Sequence, residues 1–257
     1  MPELEAALRR RLEGGGRAFV PYATGGLPGV TTEFLRGLQE AGADAVEVGI
    51  PFSDPVMDGP AIQEASRRAL EAGATVGSVL DLVGRAGLSV PAVVMTYLNP
   101  VLAMGTERFL ERAGGAGVAA VIVPDLPVDE ADEWCGEAAR LGIETVFLAA
   151  PGTAPERLAT IARNARGFVY CVSSYGVTGE RPELAGTAGE LVAALRPLTD
   201  RPLVVGVGIG TPAQAAAACA FADGVVVGTA LVRPVLAGDP GEALHLAAEF
   251  RAAIPEA

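Results

Sequence analysis

"DAVEVGIPFSDPVMDGP", residues 44–60, sets one carboxylate, Glu47, between two valines in what otherwise reads as a buried strand. Side chains alternate along a strand, so Val46 and Val48 share one face while Ala45, Glu47 and Gly49 share the other. If the valines meet packing helices, Glu47 points the opposite way with only small residues beside it. A lone buried carboxylate costs several kcal/mol unless it is paired or protonated. Two readings answer that cost: a satisfied structural carboxylate, or a group kept for chemistry. Asp54 and Asp58 follow in the loop, and the rest of the chain decides between the readings.

Seven further apolar runs resemble this one: 18–23, 92–97, 118–123, 144–149, 167–172, 202–207 and 222–228. Each is bounded by glycine or proline and followed by an amphipathic stretch such as "TTEFLRGLQEAGA" or "APERLATIARNA". Nearly continuous apolar strands suit a parallel sheet covered on both faces. Eight such units in 257 residues predict an α/β fold, a (β/α)8 TIM barrel formed as a single domain over 1–257. An extra helix is expected at the N-terminus, and a short one after the eighth strand. An open doubly wound sheet is the competitor, but eight regular repeats without an edge strand favour closure. In a barrel, catalytic groups lie at the C-terminal ends of strands and in the loops that follow. That rule places Glu47 in the barrel mouth with Asp58 above it, and the functional reading gains.

Composition narrows the chemistry. All 19 basic residues are arginine, so no lysine is available for a Schiff base or for holding pyridoxal phosphate. His245 is the only histidine and falls in the pattern of the last helix, which leaves no parts for a histidine metal site or a Ser-His-Asp relay. Cys135, Cys171 and Cys219 are widely spaced and odd in number, indicating neither a disulfide framework nor a zinc knuckle. A net charge of −12 argues against a nucleic-acid surface. No apolar run reaches the ~18 residues of a membrane span. The N-terminus is charged throughout, without the apolar stretch of a signal peptide. A cytoplasmic enzyme with no cofactor and no metal is expected.

The loops after strands six, seven and eight carry "SYGVTG" (174–179), "GVGIGTP" (206–212) and "VGTALVRP" (227–234). Glycines let backbone N–H groups approach an anion, and a helix N-terminus adds about half a positive charge. No arginine lies in these segments ahead of Arg233. A phosphate held by backbone and helix dipole is therefore expected on this half of the mouth.

The motif "VEVGIPFSDPVMDGP" resembles that of the tryptophan synthase alpha subunit family. So do "FVPYATGGLP" (19–28), "MTYLNP" (95–100), "VPDLP" (123–127), "VYCVSSYGVTG" (169–179), "GVGIGTP" and "VVVGTALV", in order over nearly the whole chain. The resemblance implies retro-aldol cleavage of indole-3-glycerol phosphate to indole and glyceraldehyde 3-phosphate. It implies that Glu47 is the general acid/base and that Asp58 accepts a hydrogen bond from the indole N–H. Tyr170 would set the geometry of Glu47, and Thr178 would bond Asp58 when the sixth loop closes. Gly179, Gly208, Gly228 and Thr229 would line the phosphate, and Tyr22, Ile122 and Leu148 would form the indole slot. The implied partner is a beta subunit, in an alpha2beta2 heterotetramer that converts indole and serine to tryptophan. Two residues depart from the family pattern: Met57, where a small or aliphatic residue is usual, and Tyr175 in the sixth loop.

The residues agree with this chemistry. Cleavage of that kind needs a proton donor and an acceptor, and carboxylates are the only candidates in the mouth. With no lysine and no metal site, the indole ring itself must receive the electrons. Other phosphate-binding barrels fit less well. Indole-glycerol-phosphate synthase uses lysines and ribulose-phosphate epimerase uses metal-binding histidines. A half-barrel isomerase would repeat its carboxylate on the fifth strand, yet "ETVFLAAPG" ends without one. A stand-alone indole-releasing lyase and a non-catalytic allosteric paralogue are the remaining alternatives.

Overall fold

Eight parallel strands close on themselves in sequence order. They are β1 (Ala18–Thr24), β2 (Val46–Gly49), β3 (Ala92–Met95), β4 (Val118–Ile122), β5 (Glu144–Ala149), β6 (Val169–Val172), β7 (Leu203–Gly206) and β8 (Gly224–Val227). β1 returns to β8 with Ala18 opposite Gly224 and Pro21 opposite Val227, so no edge is left and the open-sheet alternative is excluded. The computed structural model describes residues 3–172, 184–206 and 208–256.

Helices cover the outside. α1 (Leu4–Glu13) precedes the barrel, and α2 (Thr32–Glu40) joins β1 to β2. α3 (Pro60–Glu71) and α4 (Val76–Ala86) follow β2, and α5 (Leu98–Met104) and α6 (Thr106–Gly115) follow β3. α7 (Asp132–Arg140), α8 (Pro155–Asn164), α9 (Leu184–Leu195) and α10 (Pro212–Ala218) follow the next four strands in turn. α11 (Thr229–Leu236) and α12 (Pro240–Ala253) come after β8, the first of them on the expected short-helix segment. No helix among the described residues is long and apolar enough to cross a membrane.

The strands are shorter than the apolar runs that announce them. The run 44–50 yields Val46–Gly49, and 92–97 yields only Ala92–Met95. Apolar side chains continue to pack after the chain has left the ladder; Ile50 and Tyr97 remain buried just beyond their strands.

Period-two alternation sorts the strand residues into two cores. Val46 and Val48 pack outward with Phe34, Leu35 and Leu38 of α2 in the shell between strands and helices. Ala45 faces inward with Val20, Val93, Ala120, Ile122, Val146, Phe168, Tyr170 and Val204. Leu4 and Leu8 of α1 are fully buried in this inner group and close the N-terminal end of the barrel. The Glu144 carboxylate holds α1 there, accepting the Leu4 N–H at 2.8 Å and the Glu5 N–H at 3.2 Å. Those two N–H groups lack intrahelical partners, and a negative charge at a helix start is favoured by the dipole. With its floor filled, the barrel opens at the other end only.

Candidate active site

Glu47 sits on β2 in register with Tyr22 of β1 and Val93 of β3, and its side chain is 1% exposed. Its Oε2 is buried and has no hydrogen-bond partner among the described residues. Burial pushes the Glu47 carboxyl up to about 8, and the neighbouring Asp58 charge adds to the rise. At neutral pH Glu47 therefore carries its proton, which removes most of the desolvation cost of an unpaired carboxylate.

Asp58 comes from the loop between β2 and α3, where its N–H closes a turn onto the Pro55 carbonyl at 3.0 Å. Burial also raises this carboxyl, but the Tyr97 hydroxyl within hydrogen-bonding reach opposes the rise and leaves it at about 6. Asp58 is thus ionised where Glu47 is protonated. Two carboxyls with values on opposite sides of neutrality are the arrangement by which one site holds an acid and a fixed negative charge together.

Three tyrosines surround this pair. The Tyr22, Tyr97 and Tyr170 phenols are all raised, by burial first and then by the Asp58 or Glu47 charge, so all three stay neutral. Two glycines make room for two of these rings. A Cβ on Gly49 would stand 2.0 Å from the Tyr22 hydroxyl, and one on Gly206 would stand 2.1 Å from that of Tyr170. Glycine at the ends of β2 and β7 therefore lets the phenols of β1 and β6 lean across the neighbouring strand.

The expected indole-slot residues lie on the same inner wall. Ile122 ends β4 fully buried, and Leu148 on β5 is in register with Tyr170. Gly228 caps α11 beside Tyr22, where an added Cβ would meet the Tyr22 Cβ at 3.7 Å and its ring carbons at 3.8 Å. Thr229 opens that helix, Gly208 lies just past β7, and Arg233 is exposed on the second turn of α11. Thr178, Gly179 and Tyr175 lie outside the described residues. Among the described residues no group of three histidine, cysteine or acidic side chains could hold a metal ion.

Tyr97 was not among the residues singled out from the sequence. Its hydroxyl accepts the Met57 N–H at 2.9 Å, and its ring packs on Phe52 with centroids 5.3 Å apart. A signal was present: a hydroxyl-bearing residue directly after an apolar strand, where a barrel places its site residues.

The alpha chain model of tryptophan synthase matches residues 8–251. The chain belongs to the tryptophan synthase alpha chain family. It is 46% identical over 250 residues to the alpha chain of Gloeobacter violaceus, covering 95% of this chain and 90% of that one. With the alpha chain of Geobacter sulfurreducens it shares 48% identity over 221 residues, 84% of each. A crystal structure of Mycobacterium tuberculosis tryptophan synthase, a ligand-free form, superposes with a TM-score of 0.89 at 37% identity and covers 98% of both chains. The alpha subunit of Legionella pneumophila gives 0.89 at 32% identity, again over 98% of each.

Proposed function

We propose that Glu47 and Asp58 carry out the alpha-chain lyase step, the cleavage of indole-3-glycerol phosphate in tryptophan biosynthesis. The observation that carries the assignment is the buried, unpartnered Glu47 carboxyl beside an ionised Asp58. Protonated Glu47 gives its proton to indole C3, and the ring nitrogen becomes positively charged. Asp58 accepts the indole N–H and stabilises that charge as it develops. Glu47, now a carboxylate, takes the proton of the hydroxyl on the carbon attached to C3. The bond between them breaks, its electrons return to the ring, and indole and glyceraldehyde 3-phosphate result with Glu47 protonated again. Tyr170 limits the motion of Glu47, and Tyr22, Ile122 and Leu148 hold the ring so that the acid meets its face at C3. The phosphate rests on the N–H groups around Gly208, Gly228 and Thr229, with Gly179 as a further lining residue and Thr178 as a hydrogen-bond partner for Asp58.

The enzyme works as the alpha subunit beside a beta subunit, in the cytoplasm. Val56 and Met57 stand 79% and 55% exposed on the Asp58 loop, and Leu102 stands exposed on α5, so the rim of the mouth offers an apolar face to such a partner. The test is indole release from indole-3-glycerol phosphate by the purified chain, with and without a matching beta subunit. Slow release alone and at least a tenfold rise with the partner are expected, since loop ordering raises turnover without new groups. No indole under either condition would overturn the assignment. Fast release that ignores the partner would make this a self-sufficient lyase.

A further inference from the structure

Asp58 stands on a loop, and a carboxylate meant to meet an indole N–H must be held more firmly than a loop alone provides. The structure holds it from the side. The Tyr97 hydroxyl accepts the Met57 N–H at 2.9 Å, which fixes the backbone beside Asp58, and the same hydroxyl opposes the rise that burial gives the Asp58 carboxyl. The ring behind it is 3% exposed and packed on Phe52, at the other end of the same loop. Tyr97 is itself fixed from the next loop round the barrel. It is the N-cap residue of α5, has no side-chain bond to that helix, and leaves the start of α5 to Asp125. Asp125, in the loop after β4, accepts the Leu98 N–H at 2.8 Å, and the Thr96 N–H donates to the Ile122 carbonyl at 3.0 Å. The residues on both sides of Tyr97 are thus pinned to β4 and its loop.

We propose that Tyr97 is a positioning residue for the lyase reaction, clamping Asp58 toward the substrate, and that Asp125 acts through it by fixing the start of α5. The inference rests on the role given to Asp58 above. A clamp of this kind ties the loops after β2, β3 and β4 into one unit, so that whatever touches one of them is felt at Asp58.

Tyr97→Phe removes only the hydroxyl and keeps the ring contact with Phe52. The lost bond favoured the charged form of Asp58, so its titration moves upward. The other titratable groups facing Asp58 are Glu47 on β2, Tyr22 on β1 and Tyr170 on β6, with Asp125 facing Tyr97 itself, and none is altered in Tyr97→Phe. The expected results are a kcat roughly tenfold lower, as for loss of a hydrogen bond to a charged group, little change in KM, and an acid limb shifted toward neutrality. Asp125→Asn and Asp125→Ala both delete the charge, but only asparagine keeps the acceptor. Asp125→Ala should therefore lose several-fold in kcat while Asp125→Asn retains most of it. If Asp125 works through Tyr97, the double variant Tyr97→Phe/Asp125→Ala is no slower than Tyr97→Phe alone. Carbon-13 NMR of the Asp58 carboxyl reads the clamp without turnover: its titration must rise in Tyr97→Phe. Unchanged kcat and an unchanged Asp58 titration in Tyr97→Phe, or additive losses in the double variant, would overturn the proposal. A moved titration in a chain that releases no indole would sink the lyase assignment and leave the clamp standing.

Discussion

Asp44, just before β2, and Glu47, within it, stand three residues apart, and the barrel treats them in opposite ways. Asp44, at the closed end, accepts the Phe19 N–H at 2.8 Å and an Arg251 N–H at 3.2 Å, with Arg11 3.7 Å away. Burial raises the Asp44 carboxyl, and the backbone bond and two guanidiniums oppose it. Glu47, at the open end, has no such opposition: burial and the Asp58 charge act in the same direction. One short segment thus carries one carboxylate that is compensated by partners and one that is compensated by a proton. Partnered carboxylates hold structure together, whereas one that depends on its proton is ready to give it up.

That contrast can be broken by substitution. Glu47→Gln should lower indole release by a factor between about 10² and 10⁴, the usual contribution of a general acid/base, without loss of stability. Residual turnover above about a hundredth of wild type would remove Glu47 from the mechanism. Asp44→Ala should do the reverse. It removes the more buried of the two carboxylates beside Arg251, which is 8% exposed and whose guanidinium burial already holds below its ordinary value, and leaves only the exposed Glu256 at 3.4 Å. A stability loss of about 3 kcal/mol is expected in urea unfolding, with kcat per folded molecule within about twofold of wild type. A kinetic defect larger than the stability defect would mean that the two carboxylates are not separable.

Stability as a function of pH sharpens the comparison further. Glu47 has an ordinary value of 4.5 and a folded one of about 8, so between these the folded chain binds more protons than the unfolded one. Stability from this group is complete below 4.5 and is lost as pH rises through about 8. Glu47→Gln lacks the effect, so its stability relative to wild type should increase steadily from acid toward alkaline pH. A flat difference would mean that Glu47 titrates normally. The smallest effect belongs to the phosphate end: raising salt should weaken glycerol phosphate binding only mildly, because fixed dipoles in a closed site are poorly screened. A ligand complex with an arginine fork on the phosphate would contradict this.

The barrel was legible because apolar runs and helical periodicity are local, repeat eight times, and leave no alternative packing for strands greasy on both faces. Glu47 was legible for the opposite reason: it breaks its own pattern, and alternation alone predicts that it faces inward with Ala45. Tyr97 and Asp125 were not, because their partners lie on other loops. Tyr97 meets Met57 across 40 positions of sequence, and Asp125 meets Leu98 across 27. No periodicity records such pairings; they exist only once the barrel brings consecutive loops to one rim. The pairing of Asp44 with Arg251, separated by 207 positions, was hidden for the same reason.

The plug at the barrel floor also carries a timetable. α1 docks on Glu144, which lies 140 positions along the chain from Leu4, and its leucines share a core with Phe168 of the segment entering β6. A ribosome therefore releases the plug well before it has made the hole. Until the fifth and sixth strands emerge, Leu4 and Leu8 have no interior to enter, and closing so long a loop is slow compared with forming a helix. α1 is made long before the strands that receive it, and its apolar stripe waits uncovered until the fifth and sixth strands are complete.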